Sequence, residues 1–377
     1  MNATSLDGRE RIAFETLCFS LADDEFVLAE RYIEWQVYAP TLESDLALSN
    51  IAQDELGHAR LWYDLLMDLG YDETDLLWER QPETFRHATL VERPFAEGDW
   101  ADAIVRSYLF DVAEDLRLDS LEGSSHSGIA DRIGKIQREE DYHLEHAQNW
   151  LERLADGETG TERLQAAVDR LFPHALTLFE PTKPVGTDEA EYDAVELEET
   201  IVEAGFRDRT RGELAEEWAG IVVPFLESLE LRTPIPADGE ITDDLLPPER
   251  GRDGVHTDAW DDLYDDFTHT YRDLGRTEAV SGRQPCPQGR PVVPGHQVVK
   301  ARPVRPRHDQ RKVCVGHPAG QPLLVRERTA GLLVGVLAEG LEHQRPPVLV
   351  GHAVQARQAR GVQRRFDRQP VQRLARP

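Results

Sequence analysis

Two short patterns in this 377-residue chain can do chemistry: Glu55-x-x-His58 and Glu140-x-x-His143. Residues three apart share one face of a helix, so in each pair both heads can reach one object. Each pair is preceded by an acidic residue at a similar distance: Glu25 lies 30 positions before Glu55, and Asp111 lies 29 before Glu140. In a hairpin of two long helices that separation brings the two positions to the same height. With eight histidines in the first 280 residues and many glutamates, about one Glu-x-x-His pair arises by chance. The joint arrangement of two pairs, each with its own upstream carboxylate, is what argues for a built site.

Four carboxylates and two imidazoles with no thiolate suit iron or manganese. One carboxylate from each of two helices, plus Glu-x-x-His from each of two others, is the inward ligand set of a four-helix di-iron carboxylate bundle. The expected ligands are Glu25, Glu55, His58, Asp111, Glu140 and His143, holding two irons or two manganese ions, or none if the site is vestigial. Glu25 belongs to the run Asp23-Asp24-Glu25. Such a run is expected to face water, and the spacing picks Glu25 from it. Asp111 follows the apolar run Tyr108-Leu109-Phe110, and Glu114, one turn on, competes for its role. A ligating histidine gives its other N–H to a carboxylate. Asp54 and Glu139, each just before the Glu of a pair, are the expected partners, reaching across the bundle. His146 is expected at the surface or behind His143, His174 as a capping or core residue, and Cys18 as a small core residue.

The elements that would position these residues read as helices throughout. Apolar residues at mixed three and four spacings run from about residue 10 to 38 and end at Ala39-Pro40. A second helix spans about 42–69 and stops at Gly70, a third about 99–121 before Gly123, a fourth about 127–154 before Gly157. The first two are near 28 residues, roughly 40 Å each at about 1.5 Å per residue. Residues 71–97, with Pro82 and Pro94, form a connection long enough to cross the end of a bundle. Further helices are expected at about 161–178, 189–204, 211–228 and 257–274, with loops at Thr233-Pro-Ile-Pro and Leu246-Pro-Pro. The expected fold is therefore all-α, a ferritin-like four-helix bundle over residues 10–275 with additional C-terminal helices, after a disordered start at 1–9.

Charge divides the chain. From Ser281 onward there are 18 Lys and Arg against 5 Asp and Glu, a surplus of 13; the whole chain carries −29, so the first 280 residues carry −42. Lys135 and Lys183 are the only lysines there. Such a surface repels nucleic acid and anionic lipid, and it stays hydrated where salt screens charge. A salt-rich, halophilic cytoplasm is the expected setting. One cysteine in this part excludes a disulfide framework. Neither a signal-peptide pattern nor a run of about 18 apolar residues is present. From about residue 276 the chain becomes rich in Arg, Pro, Gly, Val and Gln, and from 281 it contains no Ile, Tyr, Trp, Asn or Met. GC-rich codons read out of frame give this set, so 276–377 is read as a frameshift-derived extension, with a disordered basic arm as the alternative.

The sequence Asn50-Ile-Ala-Gln-Asp-Glu-Leu-Gly-His-Ala-Arg60 carries a family resemblance. So do Glu34-Trp35, Pro40-x-Leu-Glu-x-Asp-Leu-Ala-Leu-x-Asn50, and Tyr142-His143 followed by Asn149-Trp-Leu-Glu-Arg-Leu154. Together they resemble the C subunits of phenylacetyl-CoA ring 1,2-epoxidases, multicomponent oxygenases, over about Leu21 to Leu274. The resemblance implies a cytoplasmic ferritin-like subunit. It pairs with a homologous A subunit that holds the catalytic di-iron site and binds phenylacetyl-CoA, and a separate reductase supplies electrons from NADPH. In well-studied members the C subunit has lost its metal ligands and acts as a structural partner. This sequence departs from that pattern, because all six expected ligands are present. Three functions stand: a scaffold subunit; a metal-loaded oxygenase or oxidase subunit, active alone or in the complex; and a ferritin-like metal-handling protein. The resemblance selects the oxygenase subunit with an intact potential di-metal site. Polyanionic CoA needs an arginine cluster. Arg106, Arg117, Arg132 and Arg138 lie on the site helices, but each is read as a solvated-face residue, and no cluster is located.

Overall fold

The computed structural model describes residues 6–186, 192–235 and 242–273. Eight α-helices are present among them and no strand: α1 Gly8–Trp35, α2 Leu42–Met67, α3 Trp100–Leu121, α4 Ser127–Ala155, α5 Glu158–Leu176, α6 Ala194–Glu203, α7 Arg211–Ser228 and α8 Asp258–Asp273. The expected tail beyond residue 276 lies outside the described residues, as do the first residues of the expected sixth helix.

Local chemistry sets the helix ends. The Asp7 side chain accepts from Glu10 N while the Glu10 side chain accepts from Asp7 N, so α1 starts at Gly8. The expected disordered start at 1–9 is corrected to this extent, and residues 1–5 lie outside the described residues. Asp99 caps α3 and Thr210 caps α7 in the same reciprocal manner, and Thr41 caps α2 by accepting from Ser44 N. Gly70 takes φ +105° after α2, a conformation that suits a residue without Cβ. Gly157 does not close α4 as expected. It is extended and serves as the N-cap of α5, which starts three residues earlier than its periodicity suggests.

The helices α1 and α2 form one pair and α3 and α4 the other, with α5 laid on α3 and α4, α6 and α8 on α1, and α7 on α3. This wrapping explains a contrast in burial. In α1, 20 of 28 residues are buried, and in α3, 19 of 22, so both are covered on all sides. Only 8 of 29 are buried in α4. They form a single stripe: Ile129, Ile133, Ile136, Gln137, Glu140, His143, Ala147 and Leu151. Each fully buried Ile or Leu there contributes about 1.5–3 kcal/mol. Glu140 and His143 occupy core positions of that stripe, and their desolvation, costing several kcal/mol per ion, is offset by these neighbours.

The middle of the connection between the bundle halves, residues 85–92, is buried, and its backbone needs partners. Asp23 and Asp24 supply them. Arg86 N donates to Asp23 Oδ2 at 2.6 Å and Ala88 N to Asp24 Oδ1 at 2.8 Å. Asp23 also accepts both Nη1 and Nη2 of Arg80, at 2.7 and 2.9 Å, and Tyr63 OH at 2.6 Å. Asp24 Oδ2 accepts from Arg117 at 2.6 Å and Arg252 at 2.7 Å. The expectation that Asp23-Asp24 faces water is therefore wrong: both are 0% exposed. Helix α8 locks the connection from outside through Trp260 Nε1 to Pro82 O, 3.1 Å, and Tyr264 OH to Arg80 O, 2.5 Å. Gly251 passes so close that a Cβ there would sit 2.1 Å from His87 O.

Candidate metal centre

Four helices each contribute to one buried cluster: Glu25 from α1, Glu55 and His58 from α2, Asp111 and Glu114 from α3, Glu140 and His143 from α4. Glu25, Glu55, His58 and Glu114 are 0% exposed, and none of the rest exceeds 3%. Glu25, Glu55, His58 and Glu140 each offer a ligand atom within 4.8 Å of the others. His58 Nδ1 lies 3.1 Å from Glu140, 3.3 Å from Glu55 and 3.9 Å from Glu25. His143 Nδ1 lies 3.3 Å from Glu140 and 3.5 Å from Glu55. The two rings are 6.1 Å apart, centre to centre.

Both imidazoles turn Nδ1 inward, and Nε2 faces a carboxylate on the opposite helix. His58 Nε2 of α2 meets Glu139 Oε2 of α4 at 2.9 Å. His143 Nε2 of α4 is 3.5 Å from Asp54 Oδ2 of α2. Thus Asp54 and Glu139 stand behind the histidines, across the bundle. Both are partly exposed, at 38% and 31%.

The inner oxygens are close to nitrogens yet without hydrogen bonds of good geometry. Both oxygens of Glu25, Glu55, Asp111 and Glu140 are buried and have no hydrogen bond of good geometry, as is true of Nδ1 of each histidine. A second cluster shows the contrast. Glu92 accepts from His87 Nε2 at 2.7 Å, His256 Nδ1 at 3.0 Å and Thr257 N at 2.8 Å, so its oxygens are satisfied by protein. Burial, reinforced by His256, pushes His87 down to about 4. That neutral, hydrogen-bonded group ties α8 to the connection. The main cluster has the opposite character: it is acceptor-rich and donor-poor.

Electrostatics express the same imbalance. Burial, then the charges of Glu55 and Glu114, hold Glu25 well above the usual carboxylate range. Burial and Glu140 do the same to Asp111. Burial also disfavours charge on Glu55, but the nearby heads of Glu25, His143 and His58 outweigh it and hold its pKa low. Burial opposes a charged His58, and Glu140 and Glu55 overcome it, raising the ring to about 10. Without a cation, protons on Glu25, Asp111 and the histidines would have to balance the carboxylate charge.

Asp111 and Glu114 both point into the cluster, three residues apart on α3, so the competition between them resolves into two roles. Glu114 is ion-paired with Arg117 Nη2, and its charge is compensated by protein. Asp111 has no cation partner of that kind among the described residues. Sequence reasoning weighed the two as rivals; the i, i+3 spacing of Glu114 and Arg117 is the signal that separates them. Arg117 and Arg106 are 3% and 1% exposed, which corrects their reading as solvated-face residues. Arg132 bonds Leu61 O and Gly128 O, and Arg138 alone of the four is exposed. His146 is half-buried on the far side of His143, in a surface groove with Tyr142 and Trp150. His174 Nδ1 bonds Thr89 Oγ1 at 2.8 Å, and Cys18 is fully buried and free.

Comparison with known proteins adds two findings. Residues 2–277 match the family described as phenylacetic acid catabolic protein. The chain is also 36% identical over 163 residues to the C subunit of 1,2-phenylacetyl-CoA epoxidase from Escherichia coli (strain K12). That match covers 42% of this chain and 65% of the relative, just under two thirds of the relative's length. No helix among the described residues is long and apolar enough to cross a membrane.

Proposed function

Since the chain belongs to the phenylacetic acid catabolic protein family, we propose that it is a subunit of a multicomponent phenylacetyl-CoA oxygenase and that it retains a two-metal carboxylate site. It works with a homologous catalytic subunit and a reductase that draws on NADPH, within residues 10–275, in a salt-rich cytoplasm. The observation that carries the metal reading is the set of buried, unpartnered carboxylate oxygens facing two inward Nδ1 atoms whose Nε2 atoms face Glu139 and Asp54. Two divalent cations match the four carboxylates Glu25, Glu55, Asp111 and Glu140 in charge. Glu114 needs no cation because Arg117 serves it.

The donor set fits iron or manganese: hard oxygens, two imidazoles and no sulfur. Glu25, Glu55, His58, Asp111, Glu140 and His143 would hold the pair, and two reduced irons supply oxygen activation when bound. The chain's own residues do the rest. The covered helices α1 and α3, with every side chain of the cluster at 3% exposure or less, keep it from bulk water. Glu139 and Asp54 orient the rings and favour Nδ1 as the ligating atom. His58 and His143 must give up a proton on metal uptake, so uptake releases protons.

The test is reconstitution of this chain with its co-expressed homologous catalytic subunit and the reductase in molar potassium chloride, reading oxygen uptake dependent on phenylacetyl-CoA. The proposal expects co-purification and uptake that needs this chain. Uptake reduced by Glu140→Gln assigns chemistry to its metal site, whereas full uptake with Glu140→Gln assigns it a supporting role. Absence of both co-purification and any effect on uptake overturns the subunit reading.

A further inference from the structure

Arg106 of α3 carries buried donors that neither the bundle nor the metal cluster accounts for. Its side chain is 1% exposed and lies over the rings of Tyr32 and Trp35, each centroid 5.2 Å away. Nη1 donates to Arg93 O at 2.8 Å. Nε and Nη2 are buried and have no hydrogen-bond partner among the described residues. A buried guanidinium is stable when its charge and its donors are met, and a lone one is costly.

Arg106 lines a cavity of about 20 Å³ together with Trp35, Arg93, Glu97, Asp102 and Arg170. The charges around it can be paired off. Arg93 pairs with Glu97. Arg170 donates to both oxygens of Asp102, at 2.7 and 2.8 Å, and Asp102 Oδ2 also accepts Asp99 N at 2.8 Å. Both acidic residues are thereby committed, and of the cations lining the cavity Arg106 is left without an ion pair, Asp102 and Glu34 acting on it only through space. Water could accept from Nε and Nη2 but would leave the charge unmet. The volume admits one or two water-sized spheres at roughly 10–15 Å³ each. That is too little for a phosphoryl group or an organic acid.

We propose that this cavity is a binding site for one small monovalent inorganic anion, a halide, held by Nε and Nη2 of Arg106. In a salt-rich cell the ion is chloride. Arg93, Glu97 and Arg170 at the rim are 22%, 43% and 43% exposed, so the ion exchanges with solvent. Bound there, it joins α3, α5 and the end of the crossover connection, and it favours the folded state by mass action. Burial lowers Arg106 to about 10, which still leaves it charged at neutral pH. The inference does not depend on the oxygenase reading, since no metal ligand touches the cavity.

The experiment titrates chloride into the full chain in potassium gluconate at constant potassium and follows the unfolding midpoint. Gluconate is too large for the cavity. A saturable rise of about 5 °C at a hundredfold excess over the dissociation constant is expected. Arg106→Met should respond with no saturable component. A wild-type response without saturation, or the same saturable response in the variant, overturns the proposal. If the variant does not fold, crystals of the wild-type chain grown in bromide decide it. An anomalous peak beside Arg106 Nε and Nη2 supports the site, and water alone at that position overturns it.

Discussion

Glu139→Ala removes the carboxylate that His58 Nε2 reaches at 2.9 Å and leaves every inner ligand in place. Loss of such a group behind a ligating imidazole lowers metal affinity by about 10–100-fold, which is about 1.4–2.7 kcal/mol. The two carboxylates behind the rings are not equivalent. Asp54 lies 3.5 Å from His143 Nε2, beyond a good direct bond, while the exposures of the two are similar. Lys135, 3.6 Å from Glu139, fixes that carboxylate further. Glu139→Ala should therefore fall near the hundredfold end and Asp54→Ala near the tenfold end. Glu139→Gln keeps an acceptor but loses the charge, and it should lie between wild type and Ala. Anaerobic calorimetric titration with Mn²⁺ or Fe²⁺ reads all three. The direction with pH is fixed as well. His58 is raised to about 10 in the metal-free chain, so binding expels its proton and tightens as pH rises toward 10. Equal or greater loss in Asp54→Ala, or unchanged affinity in both, would refute the role given to these residues.

Two stability predictions follow from the buried charges. Asp24→Asn leaves Arg117 and Arg252 without their shared carboxylate. It should cost about 3–5 kcal/mol, a fall in midpoint of roughly 6–20 °C at about 2–4 °C per kcal/mol, read by calorimetry at pH 7; a loss under about 1 kcal/mol would contradict the network. Burial and Asp266 raise Glu30 to about 7. Its charged form burdens the fold above that value, and the burden is relieved as pH falls from 7 toward 4.5. Glu30→Gln should accordingly gain about 1–2 kcal/mol at pH 8, discounting for its partial exposure, and nothing below about pH 5. Urea midpoints at pH 8 and 5 check the sign, and an equal gain at both would be the wrong result.

The helices were legible wherever their end signals were local. Arg211–Ser228 coincides with its periodicity, and α2, α3 and α4 differ from theirs by no more than two residues at either end. That Glu25, Glu55, His58, Asp111, Glu140 and His143 come together in the core was legible for a related reason. Glu55, His58, Glu140 and His143 sit at the core spacing of their helices, so a polar residue there stands out against Ile and Leu. Asp23-Asp24 was misread because its partners are distant in sequence. Arg80, Arg117 and Arg252 lie 57, 93 and 228 positions away, and no local pattern links them. Arg106 and Arg117 were misread for the converse reason. Their helix is wrapped on every side by α5, α7 and the bundle, and an arginine's identity does not announce such covering.

The central claim is that the cluster is a metal site and not a set of retained hydrogen-bonding groups. Metal content by elemental mass spectrometry, on chain purified in high salt and loaded anaerobically with iron, tests it most directly beside Glu55→Ala/His143→Ala. The account predicts near two iron or manganese ions per chain in the wild type and loss of both in the double variant. A wild-type chain that stays metal-free after loading would contradict it.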